Sequence, residues 1–230
     1  MTTLRRIRSF VRREGRMTAA QQHALNTYWP RFGVPSGEGE LDLGRLFGRQ
    51  GPCLLEIGFG MGDALLSMAR DHPENNYLGI EVYRPGIGSV LNRLVESGME
   101  NVRLICGDAV EVLEQRIPPC SLDTIHLFFP DPWPKKRHHK RRIVQPGFVN
   151  LLASRLQTGG VLHMATDWED YANHMVAVMA QASAFERLTG DVAMVHAAGR
   201  PATKFERRGR RAGHGIHDLV YVVSGLTQEQ

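Results

Sequence analysis

The stretch "CLLEIGFGMGD", residues 53–63, decides the fold. Its first five residues form a short, nearly continuous apolar run, the pattern of a strand buried on both faces. Gly58, Gly60 and Gly62 follow at once and mark a strand-to-helix turn that a ligand can approach without meeting a Cβ. The same unit recurs down the chain. "YLGIE" (77–81), "VRLIC" (102–106), "LDTIHLFF" (122–129) and "GGVLHMAT" (159–166) are further strand-like runs, and a helical stretch follows each of the five. Pro85 and Pro146 suit first-turn positions of their helices, and Gly98 and Gly159 suit C-terminal caps. Regular alternation predicts an α/β fold: a central, mostly parallel sheet with right-handed crossovers and helices on both faces. "LVYVVS" (219–224) adds a final strand.

At 230 residues the chain suffices for one such domain and a short extension. The expected division is a basic N-terminal extension and linker over 1–50, with "GVPSGEGELDLG" as the linker, and a catalytic domain over 51–230. The apolar runs fall short of a membrane span. Cys53, Cys106 and Cys120 form no C-x-x-C pair and read as reduced packing thiols. The Arg-rich N-terminus has no apolar segment or small-residue cleavage site, so the expected location is the cytoplasm, with no membrane contact. No Cys/His spacing supports a metal site.

The formal charge of +4 conceals a segregation. Arg5, Arg6, Arg8, Arg12, Arg13 and Arg16 form one basic cluster. Lys135, Lys136, Arg137, Lys140, Arg141 and Arg142 form a second, and Arg200, Lys204, Arg207, Arg208, Arg210 and Arg211 a third. These hold 18 of the 28 Lys and Arg residues and enclose two acids, for a sum of +16 against −12 for the remainder. A single charged run is usually a solvated face. Three such runs on an acidic body imply a polyanionic partner, and nucleic acid leads.

In open α/β sheets, ligands sit beyond the carboxyl ends of the strands. Glu56, Glu81, Asp108 and Asp131 lie at or just after the ends of the first four strands, at spacings of 25, 27 and 23 positions, so they are expected to converge. A dinucleotide turn requires G-x-G-x-x-G, whereas positions 63 and 64 are Asp and Ala, and extra carboxylates repel phosphate. The ligand should carry cationic groups and a free ribose. S-adenosyl-L-methionine meets that demand. Glu81 suits the ribose diol, Asp108 the adenine amino group, and Glu56 the turn or the cationic end. A helix N-cap is the plainer role for Asp108, and the two are compatible.

The chain resembles bacterial tRNA (guanine-N7)-methyltransferases through "RSFVRREGRMT", "LEIGFGMGD", "GIEVYRPGIG", "PDPWPKKRHHKRR", "ATDWEDYANHM" and "RPATKFERRGRRAGHG". Ala64 and Tyr83 depart from the usual Ser and His. The resemblance implies a Rossmann-like class I methyltransferase fold and methylation of guanosine N7 at tRNA position 46, in the variable loop. It implies that Glu56, Glu81, Asp108 and Asp131 bind cofactor, alongside Gly58 and Gly60 of the turn, with Asp131 also the catalytic acid. It further assigns substrate binding to Lys135, Asp167, Thr203, Lys204, Phe205 and Glu206. RNA contact falls to Arg137, His138, His139, Lys140, Arg141 and Arg142.

Guanine N7 carries an in-plane lone pair and no proton at neutral pH, so no base is required to unmask it. Asp131, which its proline-flanked setting makes look buried, is therefore expected to orient the guanine through N1–H and the amino group and to balance developing positive charge. Asp167 or Glu206 would be a second acceptor. Plainer readings stand beside these. Thr166 and Glu169 have capping-box spacing around Asp167, Trp133 can pack or stack, and Glu206 can pair with Arg207 or Arg208 on a moving loop. Rival classes are a nicotinamide-dependent oxidoreductase, a non-catalytic RNA-binding module and an adenine amino-methylating enzyme. A monomer or homodimer is compatible with the sequence.

Overall fold

The computed structural model describes residues 9–10, 15–211 and 213–224. Arg5, Arg6, Arg8, Arg12 and Arg13 of the first basic cluster lie outside them, and of the side chains of Lys204, Phe205 and Arg210 nothing is described. Chain order runs α1 (Ala19–Phe32), α2 (Leu43–Phe47), β1 (Cys53–Ile57), α3 (Asp63–Asp71), β2 (Asn76–Glu81), α4 (Arg84–Ser97), β3 (Val102–Cys106), α5 (Ala109–Gln115) and β4 (Leu122–Phe128). A 3-10 helix (Lys136–Arg141) follows, then α6 (Pro146–Arg155), β5 (Leu156–Thr166), α7 (Glu169–Met179), β6 (Phe185–Arg187), α8 (Gly190–Gly199), α9 (Lys204–Arg211) and β7 (His217–Val223). The seven strands form one sheet in the order β3-β2-β1-β4-β5-β7-β6. β1 to β5 are mutually parallel, and β7 runs antiparallel to both β5 and β6.

Side-chain alternation sorts the core onto two faces. Leu55, Ile57, Leu78 and Ile80 join α5, α6 and α7 on one face. On the other, Leu104 packs with Leu65 of α3, Leu91 of α4 and Phe32 of α1. Glu56 shares the parity of Leu54, which packs on this second face, so the strand that builds the core also delivers an acid beside the turn. Pro85 and Pro146 occupy first-turn positions and Gly98 caps α4 in the left-handed region at φ 67°, as the sequence predicts.

Three features differ from the sequence reading. β6 was not legible, because a three-residue edge strand carries no periodicity. Gly159 caps no helix: α6 ends at Arg155, and Gly159 sits at φ 79° inside β5, where pairing steps from Leu122↔Leu156 to Thr124↔Val161. Third, the segment read as a linker is fastened. Val34 N–H donates to Leu104 O at 2.8 Å, and Arg116 donates to Gly37 O at 2.8 Å and Gly39 O at 2.9 Å. Helix α1, closed by a Thr18/Gln21 capping box, lies against α4.

Candidate active site

The glycine turn and two acids form one unit. Gly58 and Gly60 adopt φ 74° and 56°, which an L side chain rarely does, and a Cβ at either would meet nothing within 4 Å. Glycine is therefore required by the backbone, and the space above the turn is open. Glu81 holds the turn in place: one carboxylate oxygen accepts from Gly60 N–H at 2.7 Å, and the other from Val82 N–H at 2.6 Å and Tyr83 N–H at 2.9 Å. The acid expected at a ribose diol is thus also the clamp of the loop. Helix α4 presses on the same turn, since a Cβ on Gly86 would come within 2.0 Å of Gly60 O.

Glu56 is buried, and its Oε2 has no hydrogen-bond partner. Burial, reinforced by Glu81 and then Asp63, pushes its carboxyl up to about 8, so the isolated protein keeps it neutral at neutral pH. A cation in the adjoining space would reverse that preference. Asp63, by contrast, is paired with Arg93 at 3.0 Å.

Asp108 caps α5, accepting from Val110 N–H at 3.0 Å, as the plainer reading anticipates. It also stands on a cleft of about 360 Å³ walled by Val110, Ile143, Phe148 and Leu151, with Ser9 and Lys140 on its lining. Glu114, Arg141, Arg142 and Gln145 line it too, so the cleft is as polar as apolar, and an acid on such a wall suits a planar base carrying an amino group.

The loop after β4 is held in an unusual form. Phe129 and Trp133 have φ 51° and 46°, left-handed values uncommon for bulky residues, on either side of Pro130, Asp131 and Pro132. Asp131 is exposed rather than buried. Arg142 fastens the loop from below. It donates to Pro132 O at 2.9 Å, pairs with Asp170 of α7 and lies 4.9 Å over the Tyr171 ring. Arg142 is 2% exposed, so the expectation that it contacts RNA fails: its guanidinium is consumed inside the protein. Trp133 donates its indole N–H to Ser9 O at 3.0 Å, with Arg141 4.9 Å over its ring and His138 against its edge. The packing alternative describes it.

Register places the next acid beside this loop. Phe128 pairs with Ala165, so Asp131 and Asp167 leave neighbouring strand ends. No capping box forms at Thr166 and Glu169: Thr166 Oγ1 accepts from Trp168 N–H at 3.2 Å, and Trp168 is the N-cap residue of α7. Asp167 lies against α9, where a Cβ on Gly209 would come within 2.6 Å of its Oδ2.

The "TKFE" segment is helical rather than a loop. Thr203 Oγ1 accepts from Glu206 N–H at 3.1 Å and starts α9. Glu206 is 3% exposed and pairs with Arg200 at 2.5 Å, not with Arg207 or Arg208. Arg200 also grips Asp218 in bidentate fashion at 2.8 and 3.0 Å, so it too leaves the set of free cations. Sequence reasoning missed Arg142, Asp170, Arg200 and Asp218 as a framework. Their pairings span 18 to 28 positions and carry no local signature.

Exposed cations are concentrated on two elements. Lys135, Lys136, Arg137 and Lys140 crowd the 3-10 helix, and Arg207, Arg208 and Arg211 line α9. Desolvation, and then the neighbouring charges of Arg137, Arg141, Lys135 and Lys140, hold the His138 imidazole below its ordinary value. Among the described residues, no group of three or more His, Cys, Asp or Glu could hold a metal ion, and no helix is long and apolar enough to cross a membrane.

A β3-β2-β1-β4-β5-β7-β6 sheet with only β7 reversed, and an acid-flanked glycine turn at its carboxyl edge, define a class I, Rossmann-like methyltransferase. The solved 16S rRNA methyltransferase KamB superposes with a TM-score of 0.58 over 85% of this chain and 99% of that one, at 14% identity, which speaks to the fold alone. A family described as "Putative methyltransferase" matches residues 50–219. The tRNA (guanine-N(7)-)-methyltransferase of Sodalis glossinidius (strain morsitans) is 57% identical over 95% of this chain and 92% of its own length. That of Cronobacter sakazakii (strain ATCC BAA-894) is also 57% identical, with the same coverage. The chain belongs to the tRNA (guanine-N(7)-)-methyltransferase family.

Proposed function

We propose that this protein transfers the methyl group of S-adenosyl-L-methionine to N7 of guanine at position 46 of tRNA, giving 7-methylguanosine and S-adenosylhomocysteine. The observation that carries the reading is the open glycine turn clamped by Glu81, with Glu56, two positions before Gly58, keeping a buried carboxyl oxygen unpartnered. That donor set fits a cationic, phosphate-free ligand. When bound, S-adenosyl-L-methionine supplies an electrophilic methyl group on a sulfonium.

The protein's own residues hold and align. Glu56 takes the cationic end, Gly58 and Gly60 admit the ligand against the backbone, and Glu81 offers its remaining lone pairs to the ribose hydroxyls. Asp108 takes the adenine amino group at the mixed polar and apolar cleft it lines. Asp131 accepts from the guanine Watson–Crick edge and faces the positive charge that develops on the imidazole. Because N7 has no proton to lose, Asp131 acts as an orienting group rather than a general base. Asp167, on the adjacent strand end, is the second acceptor. Thr203, Lys204, Phe205 and Glu206 form the helical wall beside it, and Glu206 acts from within the wall.

A-form major grooves are too deep and narrow to present N7, so the target lies in a loop. Lys135, Arg137, His138, His139, Lys140 and Arg141 would follow the phosphates around it. The reading places the chain in the cytoplasm as a monomer or homodimer. Purified protein, methyl-labelled S-adenosyl-L-methionine and unmodified tRNA, followed by nucleoside analysis, should yield 7-methylguanosine alone, abolished by changing G46 to adenosine. Label in another nucleoside, or none, would overturn the proposal.

A further inference from the structure

A buried cation joins the end of β4 to α9. Arg200, in the turn between α8 and α9, is 8% exposed. One end of its guanidinium meets Glu206 at 2.5 Å, and the other meets both carboxylate oxygens of Asp218, at 2.8 and 3.0 Å. His163 of β5 completes the Asp218 contact at 2.8 Å. The flat faces are used as well: Cζ stands 5.6 Å from the Phe128 ring centroid and 5.4 Å from that of Phe129. Phe129 is the left-handed residue from which the Asp131 loop departs.

We propose that Arg200 is a positioning residue for guanine, fixing the Asp131 loop and the α9 wall to one another and to β7. The inference rests on the functional reading above. Its physical basis is shape. A planar guanidinium can hold two carboxylates in its plane while stacking on aromatic rings, whereas an ammonium is a point charge that satisfies one partner at a time. The pairing is also well shielded, so its geometry is enforced rather than averaged by solvent. A residue kept only for stability has no need to contact both arms of the site. This one joins the strand end that launches Asp131 to the helix that borders Asp167.

The test is Arg200→Lys, Glu206→Gln and the double variant, with binding and turnover separated. For Arg200→Lys the Kd for S-adenosyl-L-methionine should stay within twofold, and the Kd for tRNA within threefold, because the guanidinium is buried and spent on Glu206 and Asp218. At saturating tRNA, kcat should fall about ten- to a hundredfold, the scale on which misalignment of reacting atoms acts. In the double variant the two losses should not multiply, since both break one contact. Trypsin, whose sites at Arg207 and Arg208 lie on α9, should cleave Arg200→Lys roughly tenfold faster than wild type as the clamp loosens. A kcat within twofold of wild type, or losses that multiply, would overturn the proposal. If Arg200→Lys fails to fold, Asp218→Asn removes the opposite anchor and must show the same kcat loss. Absence of 7-methylguanosine with wild-type protein would refute the functional reading instead, and the trypsin comparison would still decide the clamp: an unchanged cleavage rate sinks it.

Discussion

Replacing Glu56 by Gln removes an ionisable group while keeping the shape of the side chain, and its effect depends on pH in a way the structure dictates. The Glu56 carboxyl is raised from 4.5 to about 8 by burial, then by Glu81 and Asp63. A raised folded value means that the native state favours the protonated acid. The contribution is therefore complete below about pH 4.5 and is lost as pH rises through 8. The interval corresponds to about 5 kcal/mol at about 1.4 kcal/mol per unit, of which about 3 kcal/mol has gone by pH 7. The Gln variant has no such titration, and its amide meets the same unpartnered spot as Oε2, which adds a constant offset. Urea unfolding of both proteins at pH 5, 6, 7 and 8 should show the wild type losing ground to the variant by about 1 kcal/mol per unit. The variant should also bind S-adenosyl-L-methionine at least tenfold more weakly, because it cannot become an anion. A stability difference that stays constant from pH 5 to 8 would refute the assignment of Glu56 as a desolvated acid.

Other expectations follow from the same geometry. Asp131→Asn should lower kcat by about a hundredfold with both ligands still bound, since the lost group is an orienting charge rather than an anchor; single-turnover methylation reads it. Gly86→Ala should destabilise the protein by about 1–3 kcal/mol and weaken cofactor binding together, because the added methyl meets Gly60 O and the turn must shift; thermal melts with and without ligand measure both. With around six phosphate contacts, raising salt from about 50 to 200 mM should weaken tRNA binding on the order of a thousandfold, measured by filter binding. Converting Arg142 to Met should leave the slope of that salt dependence unchanged, since Arg142 is interior. Converting Lys135 and Arg137 to Met should reduce it.

Five strand-helix units were legible because each strand is buried on both faces and writes its burial as an unbroken apolar run, while proline and glycine mark helix ends. The acids at the strand ends were legible for the same reason: once the strands are located, Glu56, Glu81, Asp108 and Asp131 fall at the sheet's carboxyl edge. What the sequence hid is how charge is divided. Arg142 stands in a run of cations and reads like its neighbours, yet Asp170, 28 positions away, and the Tyr171 ring draw it inside. Arg200 and Glu206 read as phosphate and guanine contacts for the same reason, yet a carboxylate on β7 turns Arg200 inward and Arg200 in turn holds Glu206. Long-range pairing leaves no local trace. The strained Phe129 and Trp133 were hidden too, because a left-handed backbone at an aromatic residue is imposed by its surroundings.

The reversed strand has a consequence for how the molecule is made. β7 enters between β5 and β6, pairing with β5 along Val161–Thr166 and with β6 along Phe185–Arg187. A nascent chain that has released everything up to α9 therefore displays a bare edge on β5 and a three-residue β6 with no partner. Such an edge invites pairing with other chains, and nonlocal contacts of this kind form slowly. Asp218 arrives with the same strand, so Arg200 waits in an apolar setting without its main counter-ion until β7 docks. Closure of the sheet and completion of the clamp are thereby one late event in biogenesis, and a chain stalled before it is the species most exposed to aggregation and to quality-control proteases.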